Sequence, residues 1–451
     1  MSAGAPEVCR AASGRRRYVH KAAQERGFPK ECGGFARTPL NCRSHATKPL
    51  PMTTESELAA TGLAYLYPNY RQPPFVFVRG GGSSLFDASG KRYLDLYAGI
   101  AVSTLGHAHP KLTAAISAQA GKLLHVSNYF YNEPNVRLAE KLCRLTEMDR
   151  AFFCNSGTEA IEATLKLARR HFHVQGQTSR QRVIAFRNSF HGRTLGALAA
   201  TGQDKYKDGF GPLPGVTHVG YGDLEAVRAA MGPDVAGILV EPVQGEGGVL
   251  PAPAGFLREL RELATNAGAL LLADEVQTGV GRTGKFLAFQ HEGVQPDVTA
   301  LAKALGGGVP IGAMVCKKFL QDALPPGSHG STFGGNPLAS AAALAVLDVL
   351  ENDGLLAQVS QRGEELAQLL SKTASKFPKL VECARGRGLL QAVVLREGVD
   401  ARKVMTSLQE AGVLLTLAGG QALRFSPPLI VSLAELEEGV AVLERVLSAY
   451  V

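Results

Sequence analysis

The chain lacks any hydrophobic run long enough to cross a membrane. Its longest apolar stretch, Pro337 to Leu347, ends at Asp348, short of the roughly 18 residues a spanning helix needs. It also lacks a cysteine framework. Three of its seven cysteines (Cys9, Cys32, Cys42) fall in the first 52 residues, and Cys143, Cys154, Cys316 and Cys383 form no CxxC pair. Neither a disulfide-stapled fold nor a zinc site is indicated, a reducing compartment fits, and these four read as core residues. The body shows no internal repeat and no low-complexity tract. It is short of net charge as well: beyond residue 52, 38 basic and 37 acidic groups nearly cancel.

The formal charge of +8 therefore belongs to the first 52 residues, which hold ten Lys or Arg against three Glu. A nucleic-acid-binding face has nothing else behind it. The segment contains Arg15, Arg16 and Arg17, several Ser, Ala and Gly, and no apolar h-region. This is the composition of an organelle transit peptide rather than a secretory signal. A tail with no address would read the same way.

What is abundant is apolar surface and glycine. Hydrophobic residues make up 45% of the chain, enough to offset chain entropy over most of its length. The 51 glycines among 451 residues exceed the usual share of about 7% and ask for tight turns or backbone close to a ligand. A length prior of about 150 residues per domain suggests about three units.

Order is expected from Glu55. In residues 53–104, Val76 to Val78, Leu85 to Asp87 and Tyr93 to Asp95 read as short strands around a turn at Gly90. In residues 105–340 apolar runs alternate with helical periodicity. The runs are Ala151 to Cys154, Val183 to Phe186, Ala236 to Val240, Ala269 to Ala273, Val298 to Leu301 and Ile311 to Cys316. One helix places Ile161, Leu165, Ala168 and Phe172 on a face. Another places Phe256, Leu260, Leu263, Ala264 and Ala267 together and stops at Gly268. The pattern predicts an α/β large domain, a mostly parallel central sheet flanked by helices. Residues 341–451 read as a smaller α+β domain, which the 53–104 strands are expected to join. Ser432 and Glu435 have capping-box spacing.

In such a sheet the ligand sits at the carboxyl ends of the strands. After Cys154 comes Asn155-Ser-Gly-Thr-Glu159, where small residues at a helix start suit a phosphate; a plain cap would look the same. After Phe186 come Phe190, His191, Gly192 and Arg193. Phe190 could stack on a flat ring or be core. Arg193 could fork onto a carboxylate or lie on the surface. After Val240 comes Glu241-Pro-Val-Gln-Gly-Glu-Gly-Gly248, two acids among glycines, which a solvated turn would also explain. The run to Ala273 ends in Asp274-Glu-Val-Gln277. Lys303 follows Leu301 and precedes Gly306-Gly-Gly308. A lysine there can be desolvated and nucleophilic, though taken singly it reads as a surface lysine.

Taken together, a phosphate cradle, an aromatic plate, an Asp and a Lys at successive strand ends are the parts of a pyridoxal-phosphate site. The Lys holds the aldehyde and the Asp keeps the pyridine nitrogen protonated. A nucleotide hydrolase is the competing class, because Gly279 to Lys285 fits GxxxxGK. It fails because Phe286 stands where Ser or Thr must reach magnesium, and because the apolar-Asp-Glu strand directly precedes the loop. His107/His109 and His171/His173 invite a metal, but the second pair diverges on a helix and neither is completed by an acid.

These segments resemble a known family. Gly99-Ile-Ala-Val, Gly106-His-Ala-His-Pro110, Asn155 to Glu159, Phe190-His-Gly-Arg193, Glu241 to Gly248, Asp274 to Gln277, Ala302-Lys-Ala-Leu-Gly-Gly-Gly308 and Gly330-Ser-Thr-Phe-Gly-Gly-Asn-Pro337 are similar to those of the class III (ω-amino) aminotransferases. The match runs in order from about Tyr70 to Pro428. One departure is Ile161, where related sequences usually carry Asn after Gly-Thr-Glu-Ala.

The resemblance implies the type I fold of pyridoxal-phosphate transferases and the following roles. Lys303 binds the cofactor and shuttles the proton. Asp274 pairs with the pyridine nitrogen, Gln277 lies near the ring hydroxyl, and Glu275 and Val276 complete that cofactor loop. Phe190 stacks on the ring, and Gly157 and Thr158 hold the phosphate. Thr332 reaches the partner subunit's phosphate, implying a homodimer with sites at the interface. Arg193, Ser331 and Tyr70 face the amine donor. Arg424 takes the α-carboxylate of glutamate or 2-oxoglutarate, and Glu246 pairs with Arg424 when the other substrate is present. His125-Val-Ser-Asn128, Asn132-Glu-Pro134 and Pro310-Ile-Gly-Ala-Met314 point within the family to N2-acetylornithine as donor. Ornithine and 4-aminobutyrate are the alternatives. The pathway such an enzyme serves favours a plastid address for the leader, with the mitochondrial matrix as the other reading.

Overall fold

The structure is a computed structural model that describes residues 54–450. The transit segment expected at residues 1–52 lies outside the described residues. Order begins where the sequence suggests: Thr54 caps a helix over Glu55–Tyr65 through a reciprocal capping box with Glu57.

A seven-stranded sheet forms the centre. In spatial order its strands are Arg150–Cys154, Gly312–Cys316, Val298–Leu301, Leu270–Asp274, Val235–Val240, Arg182–Phe186 and Val216–Val219. All are parallel except Gly312–Cys316, which runs antiparallel to both neighbours. The sheet is therefore mixed. The reason is local: the connection from Leu301 to Gly312 is shorter than the dozen or so residues a parallel crossover requires. Val216–Val219 is an edge strand that the apolar pattern did not reveal.

The central strands are buried on both faces and still obey the period of two. Leu239, Leu270 and Leu272 pack on one side against Ile161, Leu165, Ala168 and Phe172 of the Gly157–Val174 helix. Ile238, Val240, Leu271 and Ala273 pack on the other side against Phe256, Leu260 and Ala264 of the Phe256–Asn266 helix. That helix stops at Gly268 as the pattern suggested, with Ala267 as its C-cap and Gly268 at φ +59°, although Ala267 itself is exposed rather than on the packed face. Of the cysteines, Cys154 and Cys316 are buried in this core, while Cys143 and Cys383 are only half-buried.

A second, antiparallel sheet orders Val381–Arg387, Leu390–Leu395, Ala422–Phe425 and Thr416–Ala418, with helices Leu355–Lys376, Ala401–Glu410 and Leu433–Ser448 around it. Ser432 and Glu435 form the capping box their spacing suggests. The early strands Phe77–Gly81, Ser84–Asp87 and Arg92–Asp95 form an antiparallel set, and Arg92–Asp95 pairs in parallel with Val413–Leu414.

Candidate active site

The carboxyl ends of the parallel strands open into one cavity of about 380 Å³, lined among others by Gly157, Thr158, Phe190, Asp274 and Lys303. These residues follow or end four different strands, Gly157 and Thr158 sharing one, so the cavity follows from sheet direction.

The Gly157–Val174 helix points its N-terminus into the cavity. Ser156 is its N-cap and accepts from the Glu159 amide. Glu159 returns to the Asn155 amide at 2.9 Å and to the Ser156 hydroxyl at 2.9 Å. The amides of Gly157 and Thr158 have no partner within their own helix and sit at the positive end of its dipole. A Cβ at position 157 would lie 2.7 Å from Val276 Cγ1, so only glycine fits.

Asp274 is buried and doubly fixed. His191 Nδ1 lies 2.7 Å from its Oδ2, and the Val276 amide donates to its Oδ1 at 3.0 Å. An ionised carboxylate only accepts, so Nδ1 carries the imidazole proton. His191 Nε2 is buried without a hydrogen-bond partner among the described residues. Glu275 turns away from the cavity: it is buried and bonds the Thr278 hydroxyl and the Phe289 amide. Its side chain faces away from the neighbours it was expected to join in the cofactor loop, because the next residue along an extended strand end faces the opposite side. Burial pushes its carboxyl up to about 7.

Lys303 lines the cavity and is half-buried. Its φ is +38°, a conformation non-glycine residues adopt at a cost of roughly 1–3 kcal/mol and one concentrated at functional sites. Burial draws its ammonium below the ordinary lysine value, against the opposing pull of Glu246. Glu241 is buried in the cavity wall. Burial raises its carboxyl well above the usual range, and the negative Asp274 adds to this. Glu241 accepts the Phe190 amide at 3.1 Å.

Arg424, 1% exposed, forms an ion pair with Glu246 and donates to Gln277 Oε1 at 3.1 Å. Burial alone would raise the Glu246 carboxyl. Arg424 and Lys303 overcome it and hold Glu246 below the usual range. The Glu246 loop is pinned by Arg385, which donates to the Gly248 carbonyl at 2.9 and 3.1 Å.

Gly157, Thr158, Phe190, Arg193, Glu246, Asp274, Val276, Gln277 and Lys303 thus meet at one cavity, with Arg424 behind Glu246. Tyr70, Ser331 and Thr332 do not meet there. Tyr70 is 77% exposed. The Ser331 hydroxyl is engaged by Asn155 Nδ2 and the Gly334 amide, and Thr332 is exposed on the same turn. His191 and Glu241 stood in the motifs without a role. Their signal was position at a strand end; their partners are far away in sequence. The metal reading finds no support among the described residues, where no group of potential ligands forms. One detail is corrected: an acid does meet His107, since Asp95 Oδ2 lies 2.7 Å from its Nε2. Nor does an α-helix open after Lys285, where only a short 3-10 turn, Ala288–His291, follows; Lys285 is exposed, while Phe286 is buried.

A half-buried lysine, a fixed carboxylate and a phosphate-ready helix end around one ring-sized space define an enzyme that works through pyridoxal phosphate, and the residues present fit that group. Comparison with known proteins agrees. A sequence model of the aminotransferase class-III family matches residues 65–447, and the chain belongs to that family. It is 52% identical over 375 residues to acetylornithine aminotransferase of Myxococcus xanthus, covering 83% of this chain and 93% of that one. It is 46% identical over 379 residues to succinylornithine transaminase of Salmonella enteritidis, covering 83% and 93%. The solved ornithine aminotransferase of Toxoplasma gondii superposes with a TM-score of 0.85 at 34% identity, covering 88% and 96%.

Proposed function

We propose that the enzyme transfers the terminal amino group of N2-acetyl-L-ornithine to 2-oxoglutarate, giving N-acetylglutamate 5-semialdehyde and glutamate, a step of arginine biosynthesis. One observation carries this reading: two guanidinium groups of unlike setting serve one lysine. Arg193 is open at the cavity wall, while Arg424 is buried and covered by the Glu246 carboxylate. A donor with a terminal amine keeps its carboxylate far from the reacting carbon, where Arg193 can take it while the Arg424–Glu246 pair stays closed. 2-Oxoglutarate has a carboxylate beside the reacting carbon and needs Arg424 uncovered.

Bound pyridoxal phosphate supplies the electron sink for the carbanion formed at the amine-bearing carbon. The protein does the rest. The Gly157 and Thr158 amides hold the phosphate, Phe190 covers the ring, and Asp274 holds the pyridine proton. Lys303 Nζ takes a proton from the amine-bearing carbon and hands it on to the cofactor side of the transferred nitrogen, and its lowered basicity leaves part of it neutral for the first of these tasks. Transfer in two halves gives ping-pong kinetics.

The exposed turn carrying Ser331 and Thr332 supports a homodimer in which Thr332 serves the partner's phosphate, and exposed Tyr70 fits the same arrangement. The basic leader supports import into an organelle, the plastid ahead of the mitochondrion. A fluorescent fusion of residues 1–52 tests that address.

The function is tested by kcat/KM for acetylornithine, succinylornithine, ornithine and 4-aminobutyrate. Acetylornithine should lead, and a lead by any other donor overturns the substrate. Lys303→Ala should abolish both turnover and borohydride fixation of the cofactor to the chain.

A further inference from the structure

We infer that Tyr206 is a positioning residue that aims Arg193, and so sets how well the cavity accepts a carboxylate-bearing amine donor. The inference rests on the proposed role of Arg193.

Arg193 has aromatic neighbours where a guanidinium usually has acidic ones. Its Cζ lies 4.0 Å from the centroid of the Tyr206 ring and 5.4 Å from that of Phe190. Its backbone is fixed separately, the amide donating to Thr158 Oγ1 at 3.2 Å. The Tyr206 ring in turn meets Phe190 edge-on, with centroids 5.7 Å apart. Phe190 is held independently by the hydrogen bond from its amide to Glu241, so the Tyr206 contact bears mainly on Arg193.

Tyr206 is not a loose surface ring. It ends the short Asp204–Tyr206 turn, and its amide donates to the Gln203 carbonyl at 3.1 Å. Buried Gln203 donates through its side chain to the Asn188 and Ser189 carbonyls at 3.2 and 3.3 Å. The turn bearing Tyr206 is thus clamped to the loop that bears Phe190 and Arg193. Sequence alone puts the two thirteen positions apart.

The geometry matches what carboxylate recognition requires. A ring against the guanidinium face leaves the in-plane N–H donors free to fork onto a carboxylate. Without the ring, the fork samples many rotamers, which a substrate must then order on binding. The loss should fall on donor binding and spare chemistry at Lys303. It should also spare 2-oxoglutarate, whose α-carboxylate is assigned to Arg424.

The test uses purified holoenzyme with Tyr206→Ala, Tyr206→Phe and Tyr206→Leu; the last keeps bulk without a ring if the alanine variant does not fold. Two donors are compared: acetylornithine, and N-acetylputrescine, which has the same amide and terminal amine but no carboxylate. Tyr206→Ala or Tyr206→Leu should raise KM for acetylornithine about five- to tenfold. Its kcat, KM for 2-oxoglutarate and KM for N-acetylputrescine should stay within twofold. Tyr206→Phe keeps the stacking face and should match the wild type. Calorimetric binding of N2-acetylnorvaline, which lacks the terminal amine, should weaken by the same factor as KM. The inference is overturned if Tyr206→Phe is as impaired as Tyr206→Ala, or if N-acetylputrescine suffers equally. If the wild-type enzyme prefers another carboxylate-bearing ω-amine, the proposed substrate fails. The same comparison, run on that amine and its decarboxylated form, then still decides the role of Tyr206.

Discussion

Replacing His191 with leucine isolates one hydrogen bond at the centre of the site. The imidazole and the Asp274 carboxylate are 0% and 5% exposed, with a 2.7 Å contact, so solvent screening does not weaken it. A hydrogen bond to a charged group contributes roughly 1.5–3 kcal/mol. At about 1.36 kcal/mol per decade, its loss should slow turnover roughly 10- to 150-fold, provided the full bond acts on the transition state. The Val276 amide still holds Asp274 Oδ1, so the carboxylate stays in place and the effect remains finite. Asparagine at 191 places an amide N–H close to the position of Nδ1 and should recover most of the loss. The assay is kcat at saturating donor and 2-oxoglutarate, with cofactor stoichiometry and circular dichroism showing that each variant is folded and loaded. If His191→Leu turns over within threefold of wild type, or if asparagine is as slow as leucine, the Asp274–His191 pair does not support catalysis.

Two further expectations concern stability, each measured as a denaturation midpoint at fixed protein and cofactor concentration. Glu275 holds its proton to about pH 7 when folded, against an ordinary value of 4.5. Its stabilisation is complete below about pH 4.5 and is lost as pH rises to about 7. Glu275→Gln should flatten that window by about 3 kcal/mol, and an unchanged pH slope would contradict the assignment. Arg282 is fully buried, donates to the Leu389 and Pro427 carbonyls, and leaves Nε and Nη2 without partners among the described residues; burial lowers its pKa to about 9. Arg282→Ala opens a void and strips both carbonyls, costing about 3–5 kcal/mol. Arg282→Met fills the void and should recover part of this; a methionine variant less stable than the alanine one would refute the packing argument.

The sequence by itself determined the layered sheet, the helices on its two faces and the list of strand-end residues. These follow from periodicity and from what comes next along the chain, both local properties. Gly157, Phe190, Asp274 and Lys303 were legible for that reason: in a parallel sheet, the end of a strand is already an address. Tertiary structure decided whatever depends on which distant segments touch. It reversed Gly312–Cys316, added the Val216–Val219 edge and turned Glu275 into the core. It also joined His191 to Asp274, Glu246 to Arg424 and Tyr206 to Arg193. Such pairings have no period to betray them, since a hydrogen bond, an ion pair or a stacked ring is specified by separation in space, and only the folded chain sets that separation.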